Sequence, residues 1–186
     1  SSQSRGLGDV YKRQYEMRKV NQIESELLPK LKELVNYAQS KDVEITIDAE
    51  EQDRLSLSLH IIEKLAYEKN TKDWPGFGIA LQAYGKRSFD VIHWLNGILD
   101  KRDGMHLRLV KGAYWDYEIK HAQVSGYEGY PVFSKKSLTD IAYLACAKEI
   151  FKNKKIFPKF ATHNAHTISS IHHIGKDFNY EFQRLY

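Results

Sequence analysis

Residues 108–116 read R-L-V-K-G-A-Y-W-D, and this stretch decides the fold that we predict for the chain of 186 residues. Polar and apolar residues alternate around its start, which predicts a strand over His106–Lys111. We expect Asp116 to cap a helix over Tyr117–Val124. A strand that leads through a charged, aromatic turn into a helix is typical of the edge where a barrel enzyme binds its ligands. The two cations of this stretch predict an anionic partner.

Strand and helix patterns alternate along the chain without a Pro-, Gly- or Ser-rich linker, which predicts one α/β domain. The predicted strands are Val43–Ile47, Phe77–Ala83, His106–Lys111, Ile156–Thr162 and Tyr180–Leu185. The predicted helices run over Met17–Ser40 with a break near Pro29, from Leu55 to Leu65, from a cap at Ser88 to Leu99, from Leu138 to Phe151, and from Ile168 to a cap at Gly175. The second strand is apolar on both faces except at Gln82, as in a parallel sheet covered by helices, and a buried Gln82 needs hydrogen-bond partners.

Polar residues gather at the predicted strand ends, which favours an incomplete (β/α)8 barrel of the TIM type with about five strands present. These residues are Asp48, Gln82, Arg108, Lys111, Thr162, His163 and Asn164. A dinucleotide-binding sheet would instead carry G-x-G-x-x-G after its first strand. The nearest approach, Gly76-x-Gly78, begins before a strand and has Leu81 where the third glycine belongs. We therefore expect the active site at the C-terminal ends of the barrel strands.

The composition is that of an ordinary globular protein, with 42% hydrophobic and 28% charged residues and a formal net charge of +4. No apolar run reaches the roughly 18 residues that span a bilayer, and no signal-peptide pattern is present. The single cysteine, Cys146, cannot form an intrachain disulfide and is predicted to be buried and inert. We therefore expect a reducing, cytoplasmic location.

The first residues of the chain need a separate interpretation. Residues 4–14 resemble an in-frame translation of a sequencing-library transposase adapter, so we expect residues 1–14 not to be native. This segment contributes half of the net charge, and nothing in the remaining sequence suggests nucleic acid contact. We predict a preceding helix within residues 15–42 and a partial barrel over residues 43–186. Because the chain lacks an initiator methionine and stops within a predicted strand, we expect it to be a fragment.

Six motifs occur here in the order and approximate spacing of one known family. They are D-A-E-E-x-D-R-L at 48–55, Q-A-Y at 82–84, R-L-V-K-G-A-Y-W-D at 108–116, G-Y-P-V at 129–132, F-A-T-H-N-A-H-T at 160–167 and Y-E-F-Q-x-L at 180–185. Over residues 43–186 the chain therefore resembles the proline dehydrogenase domain of the bifunctional proline-utilisation flavoenzymes of bacteria.

The resemblance implies an FAD-dependent oxidation of L-proline to 1-pyrroline-5-carboxylate, with electrons passed to a membrane quinone. It also implies a cytoplasmic protein that associates peripherally with the inner membrane when reduced, and a homo-oligomer of the full-length parent. In the family, a pair of adjacent arginines holds the substrate carboxylate, and this chain has no counterpart of that pair.

The resemblance also assigns the site residues. It implies catalytic roles for Asp48, Arg108 and Tyr114, with Asp48 on the substrate side and Arg108 as a permanent cation beside the flavin ring. The implied cofactor-binding residues are Gln82, Arg108, Val110, Lys111, Gly112, Ala113, Tyr114, Trp115, Thr162, His163, Asn164, Gln183 and Leu185. Gln82 is expected to bond the ring, and Lys111 with the backbone around Gly112 is expected to hold the polar chain of FAD.

Other interpretations of the same residues stay open. Asp48 would also serve as a helix cap, and Tyr84 is expected in the core. His163 and His166 lack the third ligand that a metal site needs, so we predict no metal. A non-flavin (β/α)8 enzyme would use the two cations after the third strand to bind an anionic or phosphate substrate. The chain alone would be inactive, because an open five-stranded segment leaves two unpaired sheet edges.

Overall fold

Five parallel strands form one sheet in the computed structural model, which describes residues 20–184. The strands are β1 (Ile45–Ile47), β2 (Phe77–Gln82), β3 (Met105–Val110), β4 (Ile156–Ala161) and β5 (Glu181–Gln183). Their order in the sheet is their order in the sequence, and every neighbouring pair is parallel. Sequential parallel strands joined by helices are the arrangement of a (β/α)8 barrel. The predicted fold class, an incomplete barrel with five strands, is confirmed.

Helices precede and connect the strands. Helix α1 (Leu28–Ser40) follows the helical segment Val20–Gln22 and the π-helical turn Ile23–Leu27. The connecting helices are α2 (Leu55–Ala66), α3 (Ser88–Leu99), α4 (Trp115–Val124), α5 (Lys136–Phe151) and α6 (Ala165–Ile174), with a 3-10 turn at Gln52–Arg54. The predicted elements from β1 onward agree with these bounds to within three residues at each end.

The predicted break near Pro29 coincides with the π-helical turn that precedes α1. Pro29 is the second residue of α1, directly after the π-helical turn, and a proline has no N–H to donate to the carbonyls of that turn. The predicted helix start at Met17 lies outside the described residues, and so does the whole of residues 1–14.

Two predicted helix caps are wrong. Asp116 lies inside the first turn of α4, because the helix begins at Trp115 and Tyr114 is the capping residue. Ser88 is the first residue of α3, and its hydroxyl lies 3.6 Å from the thiol of Cys146. In both cases the backbone becomes helical before the polar residue, which then lies past the position from which a side chain caps the free N–H groups. Gly175 does end α6 as predicted.

The hydrophobic core lies on the side of the sheet that faces the helices. Alternate residues of the central strands, including Leu107, Leu109 and Phe160, are fully buried. They belong to one cluster with residues of α2, α3 and α5, among them Leu65, Ile92, Leu95, Tyr143, Ala147 and Ile150. Each large apolar side chain contributes about 1.5–3 kcal/mol by leaving water. Cys146 and Tyr84 are also buried, which confirms the predicted burial of both side chains.

The opposite side of the sheet is concave and polar. Lys159 on β4 lies 2.5 Å from Glu44, which immediately precedes β1, and 3.6 Å from Glu181 on β5. Strands β2 and β3 separate β1 from β4 in the sheet, so a side chain of β4 reaches the start of β1 only because the sheet curls strongly. This ion pair therefore spans the inside of the partial barrel.

His106 lies on the same concave side and depends on a neighbouring glycine. Its Nε2 is 2.7 Å from the hydroxyl of Thr46 on β1. It pairs in register with Gly78 on β2, where an added Cβ would lie 1.9 Å from the imidazole ring. Gly78 thus leaves the space that the ring fills. Burial, aided by the charge of Lys159, lowers the pKa of His106 from its ordinary 6.5 to about 4.

Arg102 joins three segments at the N-terminal edge of the sheet. It is buried, and its guanidinium donates to the carbonyl oxygens of Ala66, Thr71, Trp74 and Gly104 at 2.8–3.3 Å. These carbonyls belong to the end of α2, the loop before β2 and the turn before β3. Burial lowers the pKa of Arg102 to about 10, so the side chain still carries its charge at neutral pH.

We predict that Arg102→Met destabilises the chain by at least about 3 kcal/mol, because several buried carbonyl groups lose their donor and each costs about 1–3 kcal/mol unpaired. The free energy of unfolding, measured by urea denaturation, checks this value. The control is Lys69→Met, which removes a positive charge from an exposed position shortly after α2 and is expected to change stability by no more than about 0.5 kcal/mol. Equal effects of the two changes would contradict the role of Arg102.

We predict that His106 makes the chain less stable as the pH falls from about 6.5 to about 4. The folded state holds the imidazole neutral, so the unfolded state binds an additional proton in this range and is favoured. The contribution is on the order of 3 kcal/mol, from a shift of about 2.5 pKa units. Urea unfolding of the wild type and of His106→Gln at several pH values measures it. A pH dependence that is the same in both proteins would contradict this prediction.

Candidate active site

Arg108 and Asp48 form an ion pair at the C-terminal part of the sheet. Arg108 lies on β3 and Asp48 follows β1 directly, so 60 residues of sequence separate the partners. The guanidinium Nη2 donates to the Asp48 carboxylate. The Asp48 side chain is 73% exposed and the Arg108 side chain 26%. The structure therefore brings together two of the three predicted catalytic residues, with the cation sheltered and the carboxylate open to solvent.

Lys111, the residue directly after β3, adds a second cation to this edge. Its Nζ lies 2.5 Å from Asp140 on α5, whose other carboxylate oxygen accepts from Lys136 at 2.8 Å. The hydrogen bond from Lys111, followed by that from Lys136, lowers the pKa of Asp140 below its ordinary value. One carboxylate thus holds two ammonium groups, and the cluster carries a net positive charge.

Gln82, the last residue of β2, connects the loops that follow β1 and β3. Its side chain is buried, and its amide Nε2 donates to the carbonyl of Glu50 at 2.8 Å. Its Oε1 accepts from the backbone N–H of Ala113 at 2.9 Å. The predicted need of this buried side chain for hydrogen-bond partners is confirmed. An amide has two N–H donors and two lone pairs on its oxygen, so these bonds use half of its capacity.

Gly112 permits a close approach between the segment after β3 and the ring of Tyr84. Its φ is +146°, and an added Cβ would lie 2.4 Å from the tyrosine ring. Val110 and Lys111 accept backbone hydrogen bonds from Ala83 and Tyr84 at 2.9 and 2.8 Å, which continue the pairing of β2 and β3 past the strand ends. The segment that carries Lys111 is therefore fixed in position by its backbone.

Two aromatic residues stand where this segment enters α4. Tyr114 is half-buried and caps the helix, and its backbone carbonyl accepts the N–H of Glu118 at 2.9 Å. Trp115 is 41% exposed, and its indole N–H donates to the carbonyl of Phe133 at 3.0 Å. The indole is thus fixed at its polar end and presents part of its apolar surface to solvent.

The residues after β4 form a second turn at the same edge. Asn164 caps α6: its Oδ1 accepts the backbone N–H of Thr167 at 2.9 Å, and its own N–H donates to the hydroxyl of Thr162 at 3.1 Å. His163 between them is exposed. Gln183 ends β5, and its backbone carbonyl accepts the N–H of Thr162 at 3.3 Å. The predicted site residue Leu185 lies outside the described residues.

Three residues that shape this edge were not predicted from the sequence: Asp140, Gln52 and Glu118. Asp140 binds Lys111 from a helix 29 residues further along. The buried Glu118 accepts the backbone N–H of Gln52 at 2.6 Å. Gln52 is the variable position within the D-A-E-E-x-D-R-L stretch, and neither acidic residue belongs to a motif with a fixed partner. Only the three-dimensional arrangement identifies them.

Two classes of feature are not found in the described part of the chain. Within residues 20–184, no group of three or more His, Cys, Asp or Glu side chains is placed to hold a metal ion. No helix in this range is both long and apolar enough to cross a bilayer.

The partial barrel with cations at its C-terminal edge has a close match among known families. The family model described as proline dehydrogenase matches residues 3–186. The chain is 46% identical over 178 residues to the bifunctional protein PutA of Salmonella typhimurium, which covers 92% of this chain and 14% of that protein. It is 43% identical over 175 residues to PutA of Rhizobium meliloti, with 91% of this chain and 14% of that protein covered.

Solved structures agree with the sequence relatives. A crystal structure of a point mutant of proline utilization A from Bradyrhizobium japonicum superposes with a TM-score of 0.89 at 43% identity, over 92% of this chain and 18% of that chain. Proline utilization A from Bdellovibrio bacteriovorus, inactivated by N-propargylglycine, gives 0.85 at 33% identity, over 89% of this chain and 18% of that chain. The chain belongs to the proline dehydrogenase family. It spans about 14% of the length of the curated relatives it matches.

We predict that Gly112→Ala destabilises the chain by roughly 1–3 kcal/mol, because a Cβ strains the backbone at this φ and collides with the Tyr84 ring. Urea denaturation measures the free energy of unfolding. Gly129→Ala is the matched control, since an added Cβ there meets no atom within 4 Å. A destabilisation no larger than that of the control would contradict the packing of Gly112 against Tyr84.

Proposed function

We propose that the complete protein to which this chain belongs is an FAD-dependent proline dehydrogenase, which oxidises L-proline to 1-pyrroline-5-carboxylate. The observation that carries the proposal is the placement of Arg108 and Lys111 at the end of β3, beside Asp48, at the edge where barrel enzymes keep their active sites. Membership of the proline dehydrogenase family supports proline as the substrate.

The donor groups at this edge fit FAD. The cofactor combines a pyrophosphate, a hydroxylated chain and a flat ring, which call for cations, backbone donors and aromatic walls. Lys111 supplies a cation beside Gly112 and Ala113, which are exposed to solvent. We assign Lys111, with the backbone of Val110, Gly112 and Ala113, to the polar chain of the cofactor. We assign Trp115 to one wall of the pocket.

When bound, FAD would supply the ring that takes up the hydride lost by proline, which carries both electrons. Arg108 provides a permanent positive charge at the sheltered end of β3, and a guanidinium stabilises negative charge there without changing its own protonation. Gln82 uses one N–H and one oxygen lone pair to bond the loops after β1 and β3, and we assign its other N–H and lone pair to the flavin ring. Asp48 occupies one N–H of Arg108 and thereby orients the guanidinium.

We assign Asp48 and Tyr114 to the substrate side of the pocket. The Asp48 carboxylate is more exposed than its partner Arg108, so it can accept a hydrogen bond from the ligand while it stays paired with the guanidinium. The second turn of the site consists of Thr162, His163 and Asn164, and we assign it to cofactor contacts, together with Gln183 and with Leu185, which lies outside the described residues. Asn164 is held in position because its side chain caps the N-terminus of α6.

Family membership also supports three wider proposals. A membrane quinone accepts the electrons, and the protein works in the cytoplasm with peripheral attachment to the inner membrane when reduced. The full-length protein forms a homo-oligomer. Along the chain, residues 1–14 are an adapter-like segment that is not native, residues 15–42 contain a preceding helix, and residues 43–186 form part of the proline dehydrogenase barrel.

The test uses the complete protein with residues 1–14 removed. We expect it to purify with a visible flavin spectrum that L-proline bleaches in the absence of oxygen and quinone. Arg108→Met is expected to slow the bleaching by at least about 100-fold, because a preorganised charge of this kind is worth about two to three powers of ten in rate. Stopped-flow absorbance measures the rate.

Lys120→Met is the matched control, since it removes one positive charge from an exposed position on α4 and leaves the strand ends unchanged. We expect the control to bleach at the wild-type rate. A colourless protein, or a flavoprotein that L-proline leaves unbleached, would overturn the proposal and favour a barrel that binds another anionic substrate.

A further inference from the structure

The loop that carries Asp48 is fastened to the rest of the barrel at three points. Gln82 donates to the carbonyl of Glu50 at 2.8 Å, and the guanidinium of Arg87 donates to the carbonyl of Gln52 at 2.8 Å. The third point is the backbone N–H of Gln52, which donates to the Glu118 carboxylate at 2.6 Å. These contacts come from the end of β2, the residue before α3 and the first turn of α4.

The Glu118 contact differs from the other two because it is made by a buried acid. Glu118 and Gln52 are 2% and 5% exposed. Burial is the main cause of a pKa of Glu118 above its ordinary value, and Asp53 and Glu51 raise it further, while the hydrogen bond from Gln52 opposes the shift. No Lys, Arg or His of residues 20–184 forms an ion pair with this carboxylate. Its described contact therefore rests on a hydrogen bond and not on charge pairing.

Glu118 also lies on the element that begins directly after the cationic segment. Helix α4 starts at Trp115, and the N–H of Ala113 just before it is held by Gln82. Two side chains thus join the loop that contains Asp48 to the segment that contains Lys111 and to the helix that follows it. These side chains are Gln82 and Glu118. Gln52 also packs closely against the turn after β2, since a Cβ at Gly85 would lie 2.7 Å from its Oε1.

We propose that Glu118 is a positioning residue for proline oxidation: by accepting the N–H of Gln52, it fixes the Asp48 loop against α4 and so sets where Asp48 stands relative to Arg108. This inference rests on the proposed function, which gives Asp48 its role toward the substrate. Glu118 acts as an acceptor at a fixed distance, and its negative charge is not required.

Two variants of the complete protein distinguish the effect of the length of the Glu118 side chain from the effect of its negative charge. Glu118→Gln keeps an oxygen acceptor at the same reach and removes the charge, whereas Glu118→Asp keeps the charge and shortens the side chain by one methylene. We expect Glu118→Asp to raise the KM for L-proline about tenfold with kcat changed less than about threefold, and Glu118→Gln to stay within twofold of wild type. Glu128→Ala, which removes an exposed acid after α4, is the control.

A second measurement does not depend on turnover. Hydrogen exchange followed by mass spectrometry, on protein without flavin, reports on peptides that contain the Gln52 amide. We expect this amide to exchange at least tenfold faster in Glu118→Asp, and at the wild-type rate in Glu118→Gln and Glu128→Ala. Unchanged exchange in Glu118→Asp, or equal damage by Glu118→Gln and Glu118→Asp, would overturn the proposal.

The two measurements also separate this proposal from the proposed function. If the wild type does not oxidise proline while the exchange contrast is present, the proposed function fails and the Glu118 contact remains. If proline is oxidised at the same KM by all variants, the proposed function holds and the positioning role of Glu118 fails. If Glu118→Asp lost flavin content at the same time as its KM for L-proline rose, Glu118 would have a general structural role, and this result would also overturn the proposal.

Discussion

The buried amide of Gln82 is the contact on which the candidate site depends most. The hydrogen bonds between parallel strands stop where the strands end, so backbone groups in the loops that follow need other hydrogen-bond partners. Gln82 supplies both missing partners, a donor for the carbonyl of Glu50 and an acceptor for the N–H of Ala113. The loop with Asp48 and the segment with Lys111 therefore keep a fixed separation. An apolar residue in this position would remove both hydrogen bonds, and with them the link that Gln82 makes between the two loops.

The electrostatics of the site follow from cations that are already paired. Arg108 has Asp48 and Lys111 has Asp140, so neither side chain has to find its place when a ligand arrives. Each carboxylate also lies partly in solvent, where its attraction is screened and an anionic ligand can compete for the cation. The arrangement combines preorganised charge with groups that remain available for binding.

Stabilising contacts and the candidate site lie at opposite ends of the sheet. At the N-terminal end, the guanidinium of Arg102 donates hydrogen bonds to backbone carbonyls. Inside the barrel, the ion pair of Lys159 with Glu44 connects β4 to the start of β1 across the curved sheet. At the C-terminal end, the charged groups are the more exposed ones. This division is the one that (β/α)8 barrels generally show, and it lets the loops around Asp48 vary in detail without loss of the core.

The sequence by itself determined the order of strands and helices, because the periods of apolar residues are local, and it placed Asp48, Gln82, Arg108 and Lys111 at strand ends. Motif resemblance pointed to the family that the comparisons identify. Local patterns misjudged the helix starts at Ser88 and Asp116 by one or two residues, since the backbone turns before the capping residue. Only the tertiary structure decided the pairings, because partners separated by 29, 60 and 66 residues meet through the curvature of the sheet and the packing of helices, which no local pattern encodes.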